Sequence, residues 1–142
     1  MKKALIVSLV FVFTALFVNN SAAQCVKGNC FTGAGVFKFA NGDQYDGQWL
    51  NGKPHGMGKY IFANGDKYTG NFLLGKRHGF GVYVWLKGGK YEGNWKEDKR
   101  DGYGKFYWPG NAQYSGTWAA DQIVNMDVNT TTDSQAKPVE GN

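Results

Sequence analysis

The feature that most constrains this chain is a short phrase, Tyr-x-Gly-x-aromatic, that occurs four times between residues 45 and 118. Each copy begins 23 residues after the one before it, because its tyrosines stand at positions 45, 68, 91 and 114. A fixed period of this size is typical of a repeat architecture, in which each unit buries its hydrophobic face only against its neighbours. The phrases supply eight aromatic residues that we predict to be either core or exposed binding surface: Tyr45, Trp49, Tyr68, Phe72, Tyr91, Trp95, Tyr114 and Trp118.

Each repeat is predicted to be one β-hairpin. The phrase alternates large and small residues, as a strand with one packed face does, and a second run over residues 56–62 alternates in the same way. The dipeptide Asn64-Gly65 then predicts a tight hairpin turn, because both central positions tolerate positive φ. The sequence therefore predicts an all-β fold of stacked hairpins.

Glycine alternates with aromatic residues in both strands of the predicted hairpin. A glycine has no Cβ, so it leaves room for a ring that packs from a neighbouring strand. We therefore expect most of the 5 Trp, 8 Tyr and 10 Phe residues to form ladders in the core. A single-layer sheet has two faces, however, and rings on an uncovered face could stack on sugar rings or enter a lipid interface.

Several recurring phrases carry a family resemblance. The Tyr-x-Gly-x-Trp phrase, the Gly-Lys-x-His-Gly-x-Gly phrase at residues 52–58 and 75–81, the Asn-Gly turn and the 23-residue period together resemble MORN repeats over residues 33–118. The resemblance implies an elongated, twisted antiparallel sheet of stacked hairpins with open ends. It also implies association with proteins or membrane lipids rather than catalysis. The third full repeat departs from the pattern, because Asp98 replaces a loop glycine and Asp101 replaces histidine.

The first 23 residues are predicted to be a bacterial-type signal peptide that is removed during export. Two lysines precede an apolar run over residues 4–18, and Ser21-Ala22-Ala23 offers small residues for cleavage. A retained membrane anchor would need about 20 apolar residues to span the bilayer. A lipid-anchored form would begin at Cys25, but Gln24 is large and polar where a small residue is usual. We therefore expect the mature protein to be periplasmic or secreted.

The mature chain is predicted to divide by motif and composition. Its segments are an N-terminal half repeat with a cysteine pair (24–44), the repeat array (45–118), a capping segment (119–128) and a disordered acidic tail (129–142). Cys25 and Cys30 are predicted to form a disulfide, because an even pair of cysteines in an exported protein favours one.

A ladder of basic residues is predicted along the loops that follow the phrases. Residues 24–118 contain 13 Lys and Arg against 7 Asp and Glu. Equivalent loop positions of stacked hairpins lie about 10 Å apart, close to the Debye length, so their charges repel weakly and could together hold an extended anion. The alternative is that these are solvated loop residues without a binding role. The candidate anion- or lipid-binding residues are Lys53, Lys76, Arg77, Lys99 and Arg100.

The sequence predicts no catalytic residues, no cofactor and no metal site. His55 and His78 are the only histidines, and at about 10 Å apart in neighbouring repeats they cannot both reach one ion. The chain has no convincing nucleophile with a base, no paired carboxylates and no glycine-rich phosphate loop leading into a helix. Acids in turns and at strand starts, including Asp43 and Asp66, are expected to be solvated.

These observations predict a non-enzymatic, exported interaction module that binds a partner protein along its aromatic and basic sheet surface. The alternative is binding to anionic membrane lipid through the basic ladder. Open sheet ends also favour pairing with a second copy, which would give a homodimer. No nucleic-acid partner is expected. The repeats are also similar to choline-binding and glucan-binding hairpin modules, but they lack the consecutive Trp-Tyr-Tyr phrases of those modules.

Overall fold

A computed structural model, which describes residues 22–110 and 112–127, confirms the prediction of an all-β repeat fold. In this part of the chain ten strands form one open antiparallel sheet, and their order in the sheet is their order in the sequence. The strands are β1 (Gln24–Gly28), β2 (Gly33–Lys38), β3 (Gln44–Leu50), β4 (Lys53–Ile61), β5 (Lys67–Leu73), β6 (Lys76–Val84), β7 (Lys90–Lys96), β8 (Lys99–Tyr107), β9 (Gln113–Ala119) and β10 (Gln122–Met126).

The strands pair in a register that repeats from hairpin to hairpin. Between β5 and β6, for example, Tyr68 lies opposite Tyr83 and Gly70 lies opposite Gly81. A Cβ on Gly70 would lie 2.5 Å from the Gly81 Cα and 2.7 Å from the Tyr68 hydroxyl oxygen. Glycine is therefore required where the two backbones and the tyrosine meet, which confirms that these glycines make room for rings.

The two faces of the sheet differ because side chains alternate along each strand. Strand β5 turns Tyr68, Gly70 and Phe72 to one face, which we call the core face. Its alternate residues, such as Thr69 and Asn71, lie on the other face, which we call the open face. A single layer of strands therefore has one aromatic side and one mainly polar side.

The core face carries two ladders of aromatic rings. The rings of the inner ladder are buried and meet edge to face with centroids 5.0–5.7 Å apart, a favourable geometry for aromatic pairs. The inner ladder consists of Tyr45, Trp49, Tyr68, Phe72, Tyr91, Trp95, Tyr114 and Trp118. Burial raises the pKa of Tyr45 and Tyr91 in this ladder to about 12, which keeps both hydroxyls neutral. The outer ladder packs beside it and is mostly half-buried: Phe37, Phe39, Tyr60, Phe62, Tyr83, Trp85, Phe106 and Trp108.

Two-residue turns form one edge of the sheet, which we call the loop edge. They join β3 to β4, β5 to β6, β7 to β8 and β9 to β10, and both residues of each turn have positive φ. This backbone is the type I′ turn that suits two-residue hairpins. Glu97 and Asp98 adopt it with φ values of 49° and 70°, although a side chain in this region costs roughly 1 kcal/mol relative to glycine.

Three-residue turns form the opposite edge, which we call the turn edge. In the second of them, the Phe62 N–H donates to the Asp66 carbonyl and the Gly65 N–H donates to the Phe62 carbonyl, at 3.0 and 2.9 Å. Positive φ occurs at Gly65 but not at Asn64. The predicted two-residue turn with two left-handed positions is therefore wrong here, since a type I turn ending in one left-handed glycine connects the strands.

The two ends of the array complete the described fold. Cys25 and Cys30 form the predicted disulfide, which lies beside β1 and β2. Strand β10 lies within the predicted capping segment and pairs with β9. Nearly all of the predicted signal peptide and the whole acidic tail lie outside the described residues. Within residues 22–110 and 112–127, no helix is long and apolar enough to cross a membrane.

Candidate interaction groove

The core face holds two concavities that are one repeat apart, between the outer ladder and the loop edge. The first has a volume of about 400 Å³ and the second about 310 Å³. They share Arg77 and Asp98, and we call them together the aromatic groove. Each residue of the first has an equivalent 23 positions later in the second. The first is lined by Tyr60, Phe62, Phe72, Gly75, Arg77 and Asp98, and the second by Arg77, Tyr83, Trp85, Trp95, Asp98, Arg100 and Asp121.

A stacked arginine marks each repeat of the groove. The Arg77 guanidinium lies over the Trp95 ring at 4.4 Å, and the Arg100 guanidinium lies over the Trp118 ring at 4.0 Å. Stacking on an indole stabilises a guanidinium by about 0.5–2 kcal/mol, depending on how far the pair is desolvated. The inner ladder therefore fixes where the arginines lie along the groove.

Each of these arginines also bonds to an aspartate of the next loop. The Arg77 Nε donates to Asp98 Oδ1 at 3.1 Å, and one terminal nitrogen donates to the Asp98 carbonyl at 2.7 Å. Arg100 contacts Asp121 in the same way, at 2.9 and 3.2 Å. A guanidinium has five N–H donors, so three on each arginine are not used by its aspartate. The groove therefore offers hydrogen-bond donors beside its aromatic walls.

The same contact one repeat earlier shows how the sequence builds this arrangement. Pro54 and Gly75 stand where Arg77 and Asp98 stand one repeat later. The Gly75 N–H donates to the Pro54 carbonyl at 2.8 Å, as the Asp98 N–H donates to the Arg77 carbonyl at 3.1 Å. The backbone contact between loops is thus common to the repeats, and the arginine–aspartate pair is added in the later ones.

The turn edge contains two buried acids, which corrects the expectation that Asp43 and Asp66 are solvated. They are only 9% and 8% exposed. Asp66 accepts hydrogen bonds from the Tyr83 hydroxyl at 2.8 Å, the Leu86 N–H at 2.8 Å and the Asn64 amide at 3.0 Å. Asp43 has equivalent donors one repeat earlier. The expectation failed because two of the three donors to each acid come from the following hairpin.

The hydrogen bonds to these two acids determine their charge. Burial by itself would raise the pKa of Asp43, but donors from Tyr60, the Ala63 N–H and Asn41 outweigh it and leave the pKa lowered. The pKa of Asp66 is also lowered, because its hydrogen bonds and nearby Lys87 outweigh burial. Both carboxylates are therefore ionised at neutral pH, and each holds its own turn against the next one.

The eight rings that were predicted as core or exposed surface lie in the core. Their exposures run from 0% for Tyr45, Tyr68 and Tyr91 to 5% for Trp49, Phe72 and Tyr114. A partner cannot contact rings that are so deeply buried. The accessible aromatic surface is instead the outer ladder, whose alternation with glycine was visible in the sequence but whose partial exposure was not.

The predicted basic ladder is divided into two kinds of residue. Arg77 and Arg100 turn over the core face and pair with aspartates, so the structure gives them a role in packing. The Lys76 Nζ lies 3.4 Å from Glu97 Oε2, and this exposed ion pair contributes little to the stability of the fold. Lys53 and Lys99 are exposed and take part in no ion pair in the described part of the chain. Anion or lipid binding by these residues stays a prediction.

The histidines do not meet at a common site. His55 and His78 are half-buried in equivalent positions of β4 and β6, and the His55 Nδ1 has no hydrogen-bond partner. Among the described residues, no group of three His, Cys, Asp or Glu side chains is arranged to hold a metal ion.

The fold and the groove define a class of protein, namely a single-layer β-hairpin array with one partly open aromatic face. The model of the MORN repeat family matches residues 31–44, 45–67, 68–90 and 91–113. These matches cover more than half of the chain, and the chain therefore belongs to the MORN-repeat family. MORN repeats are commonly protein or membrane interaction modules. No curated protein matches this chain.

Proposed function

We propose that this protein is a non-enzymatic interaction module that binds an extended segment of a partner protein in the aromatic groove. The observation that supports the proposal is the pair of concavities one repeat apart, each with aromatic walls and an arginine–aspartate pair. An extended peptide presents side chains at intervals and backbone donors and acceptors between them. The rings would hold apolar side chains, while guanidinium and carboxylate groups would bond to the backbone.

The proposal is tested with a phage-displayed library of random dodecapeptides selected against the protein. Peptides with spaced apolar residues are expected to be enriched, and NMR titration should shift the signals of Trp85 and Arg100 most. Replacing Trp85 by leucine should weaken binding by about tenfold, since interface anchors of this kind contribute roughly 1–2 kcal/mol.

The matched control is Phe31→Ala, which removes an exposed ring outside both concavities. It should leave peptide binding unchanged. Selected peptides that bind Trp85→Leu as tightly as the unchanged protein would show that the groove is not the binding surface.

Membrane binding is a second candidate function, favoured by three exposed lysines that recur every 23 residues on the loop edge. Lys53, Lys76 and Lys99 occupy equivalent positions at the starts of β4, β6 and β8. We infer that these lysines, rather than the paired arginines, would contact anionic head groups. The test is co-sedimentation with vesicles that contain phosphatidylserine, over a range of salt concentrations. Binding that salt does not weaken, or that survives the change of Lys53 and Lys99 to glutamate, would contradict this candidate.

Export is the third part of the proposal and is supported by the Cys25–Cys30 disulfide, which is stable in oxidising compartments. Cleavage after Ala23 would place this disulfide directly at the mature N-terminus. Mass spectrometry of the protein recovered from its producing cells checks this, and a mature chain that keeps residues 4–18 would contradict it.

A further inference from the structure

The open face carries exposed apolar residues at equivalent positions of three successive hairpins. Met57, Phe80 and Tyr103 are 54%, 58% and 49% exposed. They are 23 residues apart in sequence, and two strands separate each from the next, so they lie in a line about 10 Å apart. We call these three residues the ring column, after the aromatic rings of Phe80 and Tyr103. These three side chains do not pack in the inner or outer ladder, because both ladders lie on the core face.

Polar amides stand between the members of the ring column. Asn71 lies opposite Met57 and Asn94 lies opposite Phe80 in the strand pairing. The Asn71 amide donates to the Phe80 carbonyl at 3.2 Å, and the Asn94 amide donates to the Tyr103 carbonyl at 3.3 Å. Each bond fixes its asparagine side chain and uses one of the two N–H groups of the amide. Side-chain oxygens are thus held between apolar side chains along the line of the column.

The open face is also basic. Among the described residues, seven lysines lie on it against three acids. One of these acids, Glu92, is paired with Lys90, with Oε1 2.6 Å from Nζ. Lys59 and Lys105 are exposed, and each lies two residues from a member of the ring column on the same strand face. The lysines are Lys27, Lys38, Lys59, Lys67, Lys90, Lys96 and Lys105, and the acids are Asp46, Glu92 and Asp127.

The ring column leads to a shallow concavity at the N-terminal end of the open face. Ala34 occupies the position equivalent to Met57 one repeat earlier, and its small side chain leaves space where the column would continue. The concavity has a volume of about 220 Å³ and is lined by Lys27, Ala34, Val36 and Asp46, among others. A linear ligand on the column could therefore place its end beside a further lysine.

We propose that the ring column binds a linear polysaccharide of β-linked pyranose units that carry carboxylates. Pyranose rings linked through equatorial positions have an apolar face of C–H groups that stacks on aromatic rings. Two such units span roughly one repeat of the sheet, so alternate sugars would meet Phe80 and Tyr103. The asparagine oxygens would accept hydrogen bonds from sugar hydroxyls, and lysines would pair with the carboxylates.

A polysaccharide fits this face better than an acidic peptide or a bilayer does. A peptide of alternating side chains gains most from pockets, and the ring column is a row of separate side chains on a flat strand surface. Insertion into a bilayer favours a continuous apolar patch, whereas amide groups interrupt this one. The charge of the face selects an anionic chain over a neutral one.

Calorimetric titration of the protein with hexamannuronate tests the proposal. Phe80→Ala and Tyr103→Ala are each expected to weaken binding by about tenfold. Lys59→Gln and Lys105→Gln should each weaken it by about threefold, and the binding of these two variants should depend less on salt concentration. Both aromatic residues are exposed, so both variants should stay folded. Phe80→Ala should keep its melting temperature, whereas Tyr103→Ala also removes the hydrogen bond that the Tyr103 hydroxyl donates to Asp127 Oδ2 at 2.6 Å. Leu86→Ala removes an exposed apolar side chain at the turn edge and should leave binding unchanged.

Comparison ligands separate the alternatives. Cellohexaose should bind at least threefold more weakly than hexamannuronate, and equal binding would overturn the assignment of an anionic ligand. Hexamannuronate that binds the two alanine variants as tightly as the unchanged protein would overturn the proposed site. Polyglutamate or phosphatidylserine vesicles that bind through Phe80 and Tyr103 more tightly than hexamannuronate would show that the column recognises that other class instead.

Discussion

At the turn edge the earlier turns are tied to their successors by buried carboxylates, whereas at the loop edge the later loops are tied by arginine–aspartate pairs. Asp43 and Asp66 form the first kind of link. Arg77 with Asp98 and Arg100 with Asp121 form the second. The side-chain links between neighbouring hairpins therefore lie at the turn edge in the earlier repeats and at the loop edge in the later ones.

The residues available in each repeat explain why the carboxylate links end. One repeat after Tyr83 and Leu86, the chain has Phe106 and Pro109. Phenylalanine has no hydroxyl and proline has no N–H, so an acid at Gly89 would lack the two donors that Asp66 uses. In a repeat array, each unit is stabilised largely through its interfaces with its neighbours. The comparison shows that such interfaces can keep the same backbone register and use different side-chain links.

Removing a buried carboxylate should have the largest effect. Asp66→Ala leaves the buried Tyr83 hydroxyl and the Leu86 N–H without their acceptor, so we expect a loss of about 2–4 kcal/mol in the free energy of unfolding. Urea denaturation measures this loss. Asp46→Ala, at an exposed acid of β3, is the control and should change stability by less than about 0.5 kcal/mol. Equal effects of the two variants would mean that the turn link contributes nothing.

Acid should weaken the turn edge next. The folded-state pKa values of Asp43 and Asp66 are lowered from 3.8, so their contribution is complete above that value and is lost as the pH falls through the folded-state pKa values. We expect the free energy of unfolding to decline below about pH 4. In a variant with both residues changed to asparagine, this decline should be shallower. A decline of the same slope in both proteins would assign the acid sensitivity to other groups.

Breaking a loop link should have a smaller effect because its carboxylate is half exposed. Arg100→Ala loses the stacking on Trp118 and the pairing with Asp121, and we expect a cost of about 1–2 kcal/mol in denaturant unfolding. The neighbouring exposed Lys99→Ala is the matched control and should be close to neutral. A cost for Arg100→Ala that reached that of Asp66→Ala would contradict the ranking of the two links.

The smallest effect is expected from two substitutions of Asp98 that separate backbone strain from side-chain pairing in a loop. Asp98 has a φ of 70°, and its equivalent one repeat earlier is Gly75. Asp98→Ala loses the pair and keeps the strained backbone, whereas Asp98→Gly loses the pair and removes the strain. The glycine variant should therefore be about 1 kcal/mol more stable than the alanine variant in thermal and urea denaturation. An alanine variant as stable as the glycine variant would show that the turn is not strained.

The sequence predicted the sheet and its aromatic core well, since both follow from local alternation and a fixed period. It predicted the connections less well. Asn64-Gly65 has the composition of a two-residue turn, but the two-residue turns lie at the other edge, where Leu74, Glu97 and Ala120 take positive φ. The register of the ladders determines how many residues remain for each connection, and local turn preference is weaker than that constraint.

The candidate sites divide in the same way. The period by itself determined that equivalent side chains form columns, because stacked hairpins repeat every residue at a fixed spacing. Which columns are accessible depended on tertiary structure. The inner ladder, which the sequence predicts to be either core or binding surface, is buried in the core. Arg77 and Arg100, which were predicted to bind anions, instead pair with Asp98 and Asp121.

The recurring phrase thus determined the architecture of this protein through short-range alternation and regular spacing. Only the tertiary structure determined the partners of Asp66 and Arg77, which lie 20 and 21 residues further along the chain. Contacts at that separation depend on how neighbouring hairpins align, and no local pattern around either residue specifies them. The same alignment places the aromatic groove on one face and the ring column on the other.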